Sequence, residues 1–270
     1  MTSVSVIIPT YQRAHDLVRA VRSALAQTCD LLEVLVCDDG STDDSAERIR
    51  AIGDPRVGWL PGPHAGRPAI PRNRGMAAAR GEWIAFLDSD DTWEPDKLAR
   101  QFERISRSKA RFSCTNALRI VPGAIDHPLY FDRPPARPTF YDMLRMNHVI
   151  CSSALVHASV VRKTGPFPEA IGLKAVEDYA LWLRCAAFTD IELCPEPLVR
   201  YTDSPSTSVR QQDASLAEQR ERVLSDLMTS TAHAHLDQHQ HRAVERALRI
   251  AQGRPTLLDL VNSRWSSWTR

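Results

Sequence analysis

The sequence predicts an α/β fold in which a mostly parallel central sheet is flanked by helices and followed by a helical C-terminal tail. Short apolar runs alternate with segments of helical apolar spacing through about the first 105 residues, which is how successive βα units read. The three best strands, at 4–8, 33–37 and 83–87, all stop at polar sequence, the place where open parallel sheets bind ligands. The composition is that of an ordinary globular chain of 270 residues, 43% hydrophobic and 25% charged, large enough for a substantial core. A formal charge of +1 excludes a broad basic face, so no nucleic-acid partner is expected.

The first strand ends at Pro9-Thr10, and Ala14, Leu17, Val18, Val21, Ala24 and Leu25 then recur at helical spacing. The second strand stops at Asp38-Asp39-Gly40, with Ser41 or Thr42 expected to cap a polar helix. A short run at 56–60 leads into a Pro- and Gly-rich loop at 61–68, and a helix is expected from about Arg72. The apolar run at 83–87 meets Asp88-Ser89-Asp90-Asp91, and Pro95 opens a helix with Leu98, Phe102 and Ile105 on one face. Beyond residue 110 the pattern loosens. Pro122, Pro128, Pro134, Pro135 and Pro138 mark a long irregular connection before a helix near 141–146 and a strand near 153–156. The tail from about Asp213 has a modest apolar face of Leu216, Val223, Leu224, Leu227 and Met228. No C-x-x-C pair, charged-then-apolar leader or run of 18 apolar residues is found, so reduced thiols, a cytoplasmic location and no membrane span are expected.

Asp88 and Asp90 leave a buried strand on one tight turn, which suits a hard cation such as Mg²⁺ or Mn²⁺ carrying a substrate phosphate. A single Asp at that place is equally well a helix cap; three in four residues, with Asp38-Asp39 on the same rim, favour a site. Neighbouring carboxylates repel one another, and a bound cation or a hydrogen-bonding ligand would relieve that cost.

Five segments taken together resemble the inverting family 2 glycosyltransferases of the GT-A fold: Val6-Ile7-Ile8-Pro9-Thr10-Tyr11, Val36-Cys37-Asp38-Asp39-Gly40-Ser41-Thr42-Asp43, Arg72-Asn73-Arg74-Gly75, Phe86-Leu87-Asp88-Ser89-Asp90-Asp91, and Glu177-Asp178-Tyr179-x-Leu181-Trp182-Leu183-Arg184. The resemblance covers roughly residues 4–201 and implies a GT-A domain at 1–212, with a nucleotide-sugar half at 1–110 and an acceptor half at 111–212. A helical extension at 213–270 lies outside it. It implies transfer of a sugar from a nucleotide diphosphate, UDP favoured, to a glycan or lipid-linked acceptor in surface-polysaccharide synthesis. By position, Pro9, Thr10, Tyr11, Arg13, Asp39, Arg72 and Asp88 would bind the nucleotide, and Asp90 with Asp88 would hold Mn²⁺ or Mg²⁺. Asp178 would be the catalytic base, and Glu177, Trp182 and Asp91 would contact the acceptor or support the site. Independently, Asp178, Leu181, Trp182 and Cys185 share one helical face, which would set the acid against apolar side chains.

Where many members carry a His shortly after the position of Tyr201, this chain has Asp203-Ser204-Pro205-Ser206, and Ser206 or Arg210 is a candidate phosphate contact. His235 and His239 are spaced to meet on a helix as metal ligands would, but without Cys or carboxylate partners a solvated face is preferred. Leu257, Leu258, Val261, Trp265 and Trp268, flanked by Arg254, Arg264 and Arg270, form a stripe suited to a core, to dimerisation or to a peripheral membrane contact. Residues 84–92 also resemble the D-x-D-x-T motif of haloacid dehalogenase-type phosphatases, with Asp88 as nucleophile, but two βα units precede it and Glu177-Asp178 goes unexplained. A sugar-1-phosphate nucleotidyltransferase would need a Gly-rich loop where Pro9-Thr10-Tyr11-Gln12 stands, and an inactive sugar-nucleotide binder would have no need of Asp178.

Overall fold

The computed structural model describes residues 3–121, 123–204 and 214–255. In chain order the elements are β1 (Val4–Thr10), α1 (Ala14–Leu25), β2 (Glu33–Asp38), α2 (Ser45–Arg50), β3 (Val57–Leu60), α3 (Ala69–Ala78), β4 (Trp83–Phe86), β5 (Thr92–Trp93) and α4 (Lys97–Ser106). They continue with β6 (Phe112–Ile120), α5 (Phe140–Met143), β7 (Leu155–His157), α6 (Ala158–Thr164), α7 (Glu177–Ala186), β8 (Ile191–Thr202), α8 (Leu216–Thr229) and α9 (Gln238–Ala251). The described strands form one sheet in the order β3-β2-β1-β4-β7-β6-β8-β5. The first four are mutually parallel, β6 runs parallel to β8, and β7 and β5 pair antiparallel.

Alternation along each strand builds a core on both faces. Ile7, Leu35, Phe86 and Phe112 pack to one side with α7 and the tail residues Val223, Leu224, Leu227 and Val244. Val6, Ile8, Val34, Val36, Ala85 and Leu87 pack to the other with Leu17, Val21 and Leu98. Register then decides where the polar ends fall: Thr10 pairs with Asp38 and Ile7 with Phe86, so the chain leaves β1, β2 and β4 on one rim.

Several elements differ from the sequence expectation. The helix awaited at Arg72 begins at Ala69, with Pro71 inside its first turn. Proline is tolerated there because first-turn N–H groups have no partner within the helix. Ser41 and Thr42 do not cap α2; their hydroxyls accept from the backbone N–H and side-chain amide of Gln12, and α2 starts at Ser45, where Asp43 accepts from its N–H. Strands β6 and β8 lie in the half that reads as irregular. Pro195 and Pro197 interrupt β8, and the pairing absorbs them by register shifts on either side of Asn116. His235 and His239 do not face each other, because 231–235 forms a separate 3₁₀ turn and Asp237 caps α9. Instead His241 Nδ1 lies 3.1 Å from His233 Nε2, and His235 rests against Phe188. All six cysteines are unpaired, and five are buried. No helix among the described residues is long and apolar enough to cross a membrane. Ser206, Arg210 and the stripe at Leu257, Leu258, Val261, Trp265 and Trp268, with Arg264 and Arg270, lie outside the described residues.

Candidate active site

A cleft of about 580 Å³ opens over the rim where β1, β2 and β4 end. Pro9, Thr10, Tyr11, Arg13, Asp39, Arg72, Asp88, Asp90, Glu177 and Asp178 all line it, so ten of the expected residues meet in one space. Trp182 and Asp91 do not.

The acids are held by arginines and backbone N–H groups. The fully buried part of the turn is Asp91, which accepts from the Ser152 hydroxyl and, at 2.7 Å, from the N–H of Thr202. Burial, with Asp90 and Asp88 adding to it, pushes its pKa well above the carboxylate range, and its bonds to Ser152 and Thr202 pin the turn from beneath. The hydroxyl of Ser152 also accepts from the N–H of Asp88 at 3.0 Å. Above it, Asp90 pairs with Arg13. Burial and then Asp88 raise the pKa of Asp90, while Arg13 works against them. Part of the repulsion in the Asp38-Asp39 pair, for which the sequence suggests a cation or a hydrogen-bonding ligand, is relieved by the chain itself: Asp38 accepts from the N–H of Ser41, and Asp39 from the N–H groups of Ala65 and Gly66 at 3.0 and 2.9 Å.

Asp39 thereby fixes the loop after β3 and seats His64, whose Nδ1 lies 3.1 Å from its carboxylate. The His64 ring stacks on Tyr11, with centroids 4.0 Å apart. Sequence reasoning passed over His64, because only the fold brings a loop histidine against the end of β1. Gly40 makes the approach feasible: its φ is +85°, and a Cβ there would lie 2.8 Å from the backbone N of His64. Two non-glycine residues with positive φ, Gln12 at 51° and Ala175 at 70°, also adjoin the cleft, where backbone strain commonly gathers. Gln12 is held there by accepting from the N–H groups of Thr42 and Asp43.

The Arg-Asn-Arg-Gly segment on α3 does four separate jobs. Gly75 brings the helix onto Ile7 and Cys37, with each of which a Cβ would collide at 2.7 Å. Arg74 donates to the carbonyls of Asp38 and Leu60, and Asn73 clamps the backbone of Phe167 from both sides. Buried Arg72 donates to Asp88 at 2.6 Å and to Glu177 at 2.7 Å. Burial opposes its charge, but Asp88 first, with Cys151 and Glu177 adding to it, outweighs that and holds its pKa well above the usual guanidinium value. Arg72 Nε, Glu177 Oε2 and Thr10 Oγ1 are buried without a hydrogen-bond partner among the described residues. Polar atoms left so are what a polar ligand would satisfy.

Helix α7 carries Glu177 and Asp178 in its first turn, aimed at the cleft by the positive end of the helix. Asp178 is half-buried, and its carboxylate accepts from the N–H of Tyr179 at 2.7 Å. The helix is buried almost all round, so the apolar face expected behind Asp178 is part of the core itself. Trp182 is fully buried among Phe86, Phe112 and Phe167, which rules out a direct acceptor contact and leaves it as packing support.

Among the described residues no three His, Cys, Asp or Glu side chains gather into a metal site, the histidines of the tail included. Asp88 and Asp90 each give one oxygen to an arginine. Two carboxylates of this kind fit Mg²⁺ or Mn²⁺ as those ions sit in phosphate sites, where substrate phosphate and water complete the shell. Asp203 is committed to Arg119. The D-x-D turn follows β4, with β1 and β2 preceding it in the parallel set, which does not favour the phosphatase reading.

The family described as "Glycosyl transferase family 2" matches residues 5–165. The chain is 32% identical over 188 residues to UDP-Glc:alpha-D-GlcNAc-diphosphoundecaprenol beta-1,3-glucosyltransferase WfaP of Escherichia coli, covering 68% of this chain and 70% of that protein. It is 30% identical over 184 residues to the putative teichuronic acid biosynthesis glycosyltransferase TuaG of Bacillus subtilis, covering 67% and 70%. In fold it is similar to S. aureus TarS 1-349 in complex with UDP-GlcNAc, at a TM-score of 0.71 and 17% identity over 93% of this chain and 72% of that one.

Proposed function

The chain belongs to glycosyl transferase family 2, and from that premise we propose that it transfers the sugar of a UDP-sugar, with inversion, to a hydroxyl of a lipid-linked or growing surface glycan. The observation that carries this reading is the bridge of Arg72 to both Asp88 and Glu177, which ties the acidic turn after β4 to the start of α7 across one cleft. Support for the substrates comes from the relatives: the name of WfaP specifies UDP-Glc and a diphosphoundecaprenol-linked sugar, and TarS is solved with UDP-GlcNAc.

In this reading the first 110 residues hold the donor and the half from 111 to 212 receives the acceptor. The Tyr11–His64 stack and Asp39 flank the nucleoside, and Arg72 faces the diphosphate. Asp178 accepts the proton of the acceptor hydroxyl as that oxygen attacks the anomeric carbon from the face opposite the leaving nucleoside diphosphate. One displacement inverts the configuration, and the proton ends on Asp178. Asp88 and Asp90 would hold Mg²⁺ or Mn²⁺, which supplies positive charge beside the leaving diphosphate. A lipid-linked acceptor places the work at the inner face of the membrane.

The test is a thermal-shift panel of UDP, GDP, dTDP and CDP with Mn²⁺, Mg²⁺ or chelator, on the wild-type chain and Asp90→Ala. UDP should raise the midpoint in the presence of the cation, and chelation or Asp90→Ala should abolish the cation's contribution. A chain that no nucleotide stabilises, and that releases phosphate from a generic phosphoester, would overturn the reading.

A further inference from the structure

At the far side of the cleft from the Tyr11–His64 stack, Tyr130, Phe131 and Tyr201 line the wall, and neither the motifs nor the donor site uses them. We propose that these three rings are the platform on which the acceptor's sugar ring stacks, an inference that rests on the glycosyltransferase reading and extends it to the acceptor.

The wall is built rather than incidental. Residues 128–131 are tied to β6 by one isolated bridge: the N–H of Tyr130 donates to the Ala117 carbonyl at 2.8 Å, the N–H of Arg119 donates to the Pro128 carbonyl at 2.9 Å, and Leu118 bridges Leu129. Asn116, buried at the register shift between β6 and β8, uses its side-chain amide to take both backbone groups of Phe131, donating to the carbonyl at 2.8 Å and accepting from the N–H at 3.1 Å. A side chain thus satisfies both backbone groups of Phe131 and holds them against β6. The rings brace one another nearly at right angles, Tyr130 on Phe131 at 4.9 Å and Tyr130 on Tyr201 at 5.3 Å. All three are partly buried against the core and partly open to the cleft.

A sugar ring has an apolar face of C–H groups, whose partial positive charge suits the negative face of an aromatic ring, and a rim of hydroxyls. Asn147 lines the same cleft and carries an amide able to meet that rim. The sheet order argues for acceptor over donor. Across the sheet the cleft runs from β2 and β1, which carry Asp39 and Tyr11, past β4 and its acids, to β6 and β8. An extended nucleoside diphosphate sugar laid along that line puts its base at β2 and β1 and its diphosphate beside β4. What lies beyond the anomeric carbon, at β6 and β8, is the attacking partner.

The experiment measures transfer from UDP-sugars to a panel of alkyl-diphospho-monosaccharides by the wild-type chain, Tyr130→Ala, Phe131→Ala, Tyr130→Phe and Tyr201→Phe. UDP binding by calorimetry and acceptor-free hydrolysis of the donor are followed in parallel. Each alanine variant should raise the acceptor KM about tenfold, the loss of one aromatic contact, with UDP affinity and donor hydrolysis unchanged. The phenylalanine variants, which keep the ring, should hold the acceptor KM closer to wild type than the alanine variants do, and the UDP affinity of each variant reports that its fold survives. An unchanged acceptor KM, or a rise in donor KM in step with it, would overturn the platform alone. A wild-type chain that neither binds UDP nor transfers sugar would overturn the underlying reading, and the platform with it.

Discussion

Arg72 joins Asp88 to Glu177, a residue 105 positions away in the chain, through hydrogen bonds of 2.6 and 2.7 Å from the two ends of one guanidinium. Glu177 is almost wholly buried and Asp88 is partly open to the cleft, so the inner half of this bridge is structural and the outer half faces the ligand.

Replacing Arg72 therefore acts in two ways. Arg72→Met leaves the buried Glu177 carboxylate unpaired and should lower unfolding free energy by about 3 kcal/mol, read from the urea midpoint. Arg72→Lys keeps the charge but loses the fork, and it should recover part of the stability without restoring transfer. A midpoint unchanged in Arg72→Met would show that the bridge adds nothing to the fold.

Asp178→Asn keeps the volume of the side chain and removes its basicity. Turnover should fall by about 10³-fold, the usual worth of a general base, while calorimetry finds UDP affinity unaltered. Transfer persisting at the wild-type rate would assign the base elsewhere.

Gly40→Ala tests the seat of His64. The new Cβ combines a positive φ with a 2.8 Å approach to the His64 backbone, so it should cost about 1–2 kcal/mol of stability and weaken UDP binding as the loop at 64–66 shifts. Gly53→Ala is the control, since its φ is +70° but nothing stands within 4 Å. It should show the strain without the loss of binding.

Lys97 offers a prediction in pH. It is fully buried, donates to Gln101 at 2.8 Å and lies 4.2 Å from the Trp93 ring; burial lowers its pKa from 10.5 to about 7. Between those values the unfolded chain binds a proton that the folded chain does not. Stability should therefore rise with pH from about 7 towards 10, by at most about 1.4 kcal/mol per pH unit, and the penalty is full below pH 7. Urea unfolding across pH 6–9.5 should show Lys97→Met lacking this slope and gaining most over wild type at pH 6. Parallel pH profiles would mean that Lys97 titrates normally.

Much of the cleft was legible because its residues sit at strand ends. Thr10, Asp39 and Asp88 follow runs that only a buried strand explains, and the alternation of strand and helix carries those ends to one rim. Strands β6 and β8 were not legible: Thr115 and Asn116 break the apolar pattern, and Pro195 and Pro197 read as loop. Their pairing survives because it lies between distant segments and can shift register where local sequence forbids it. The motif points to Asp178, and helical spacing rightly sets Leu181, Trp182 and Cys185 on its face; that this face is core, and Trp182 out of an acceptor's reach, is decided by packing against Phe86, Phe112 and Phe167.

The parallel unit of β1, β2 and β4 and the residues at its polar rim are written locally in the chain, because period, turn residues and strand length are properties of short segments. It takes the folded chain to show that Arg72 serves both Asp88 and Glu177, that His64 stacks on Tyr11, that Trp182 is core, and that Tyr130, Phe131 and Tyr201 share a wall. Each of these is a contact between segments far apart in the chain, fixed by sheet order and register, and no window of sequence contains both of its halves.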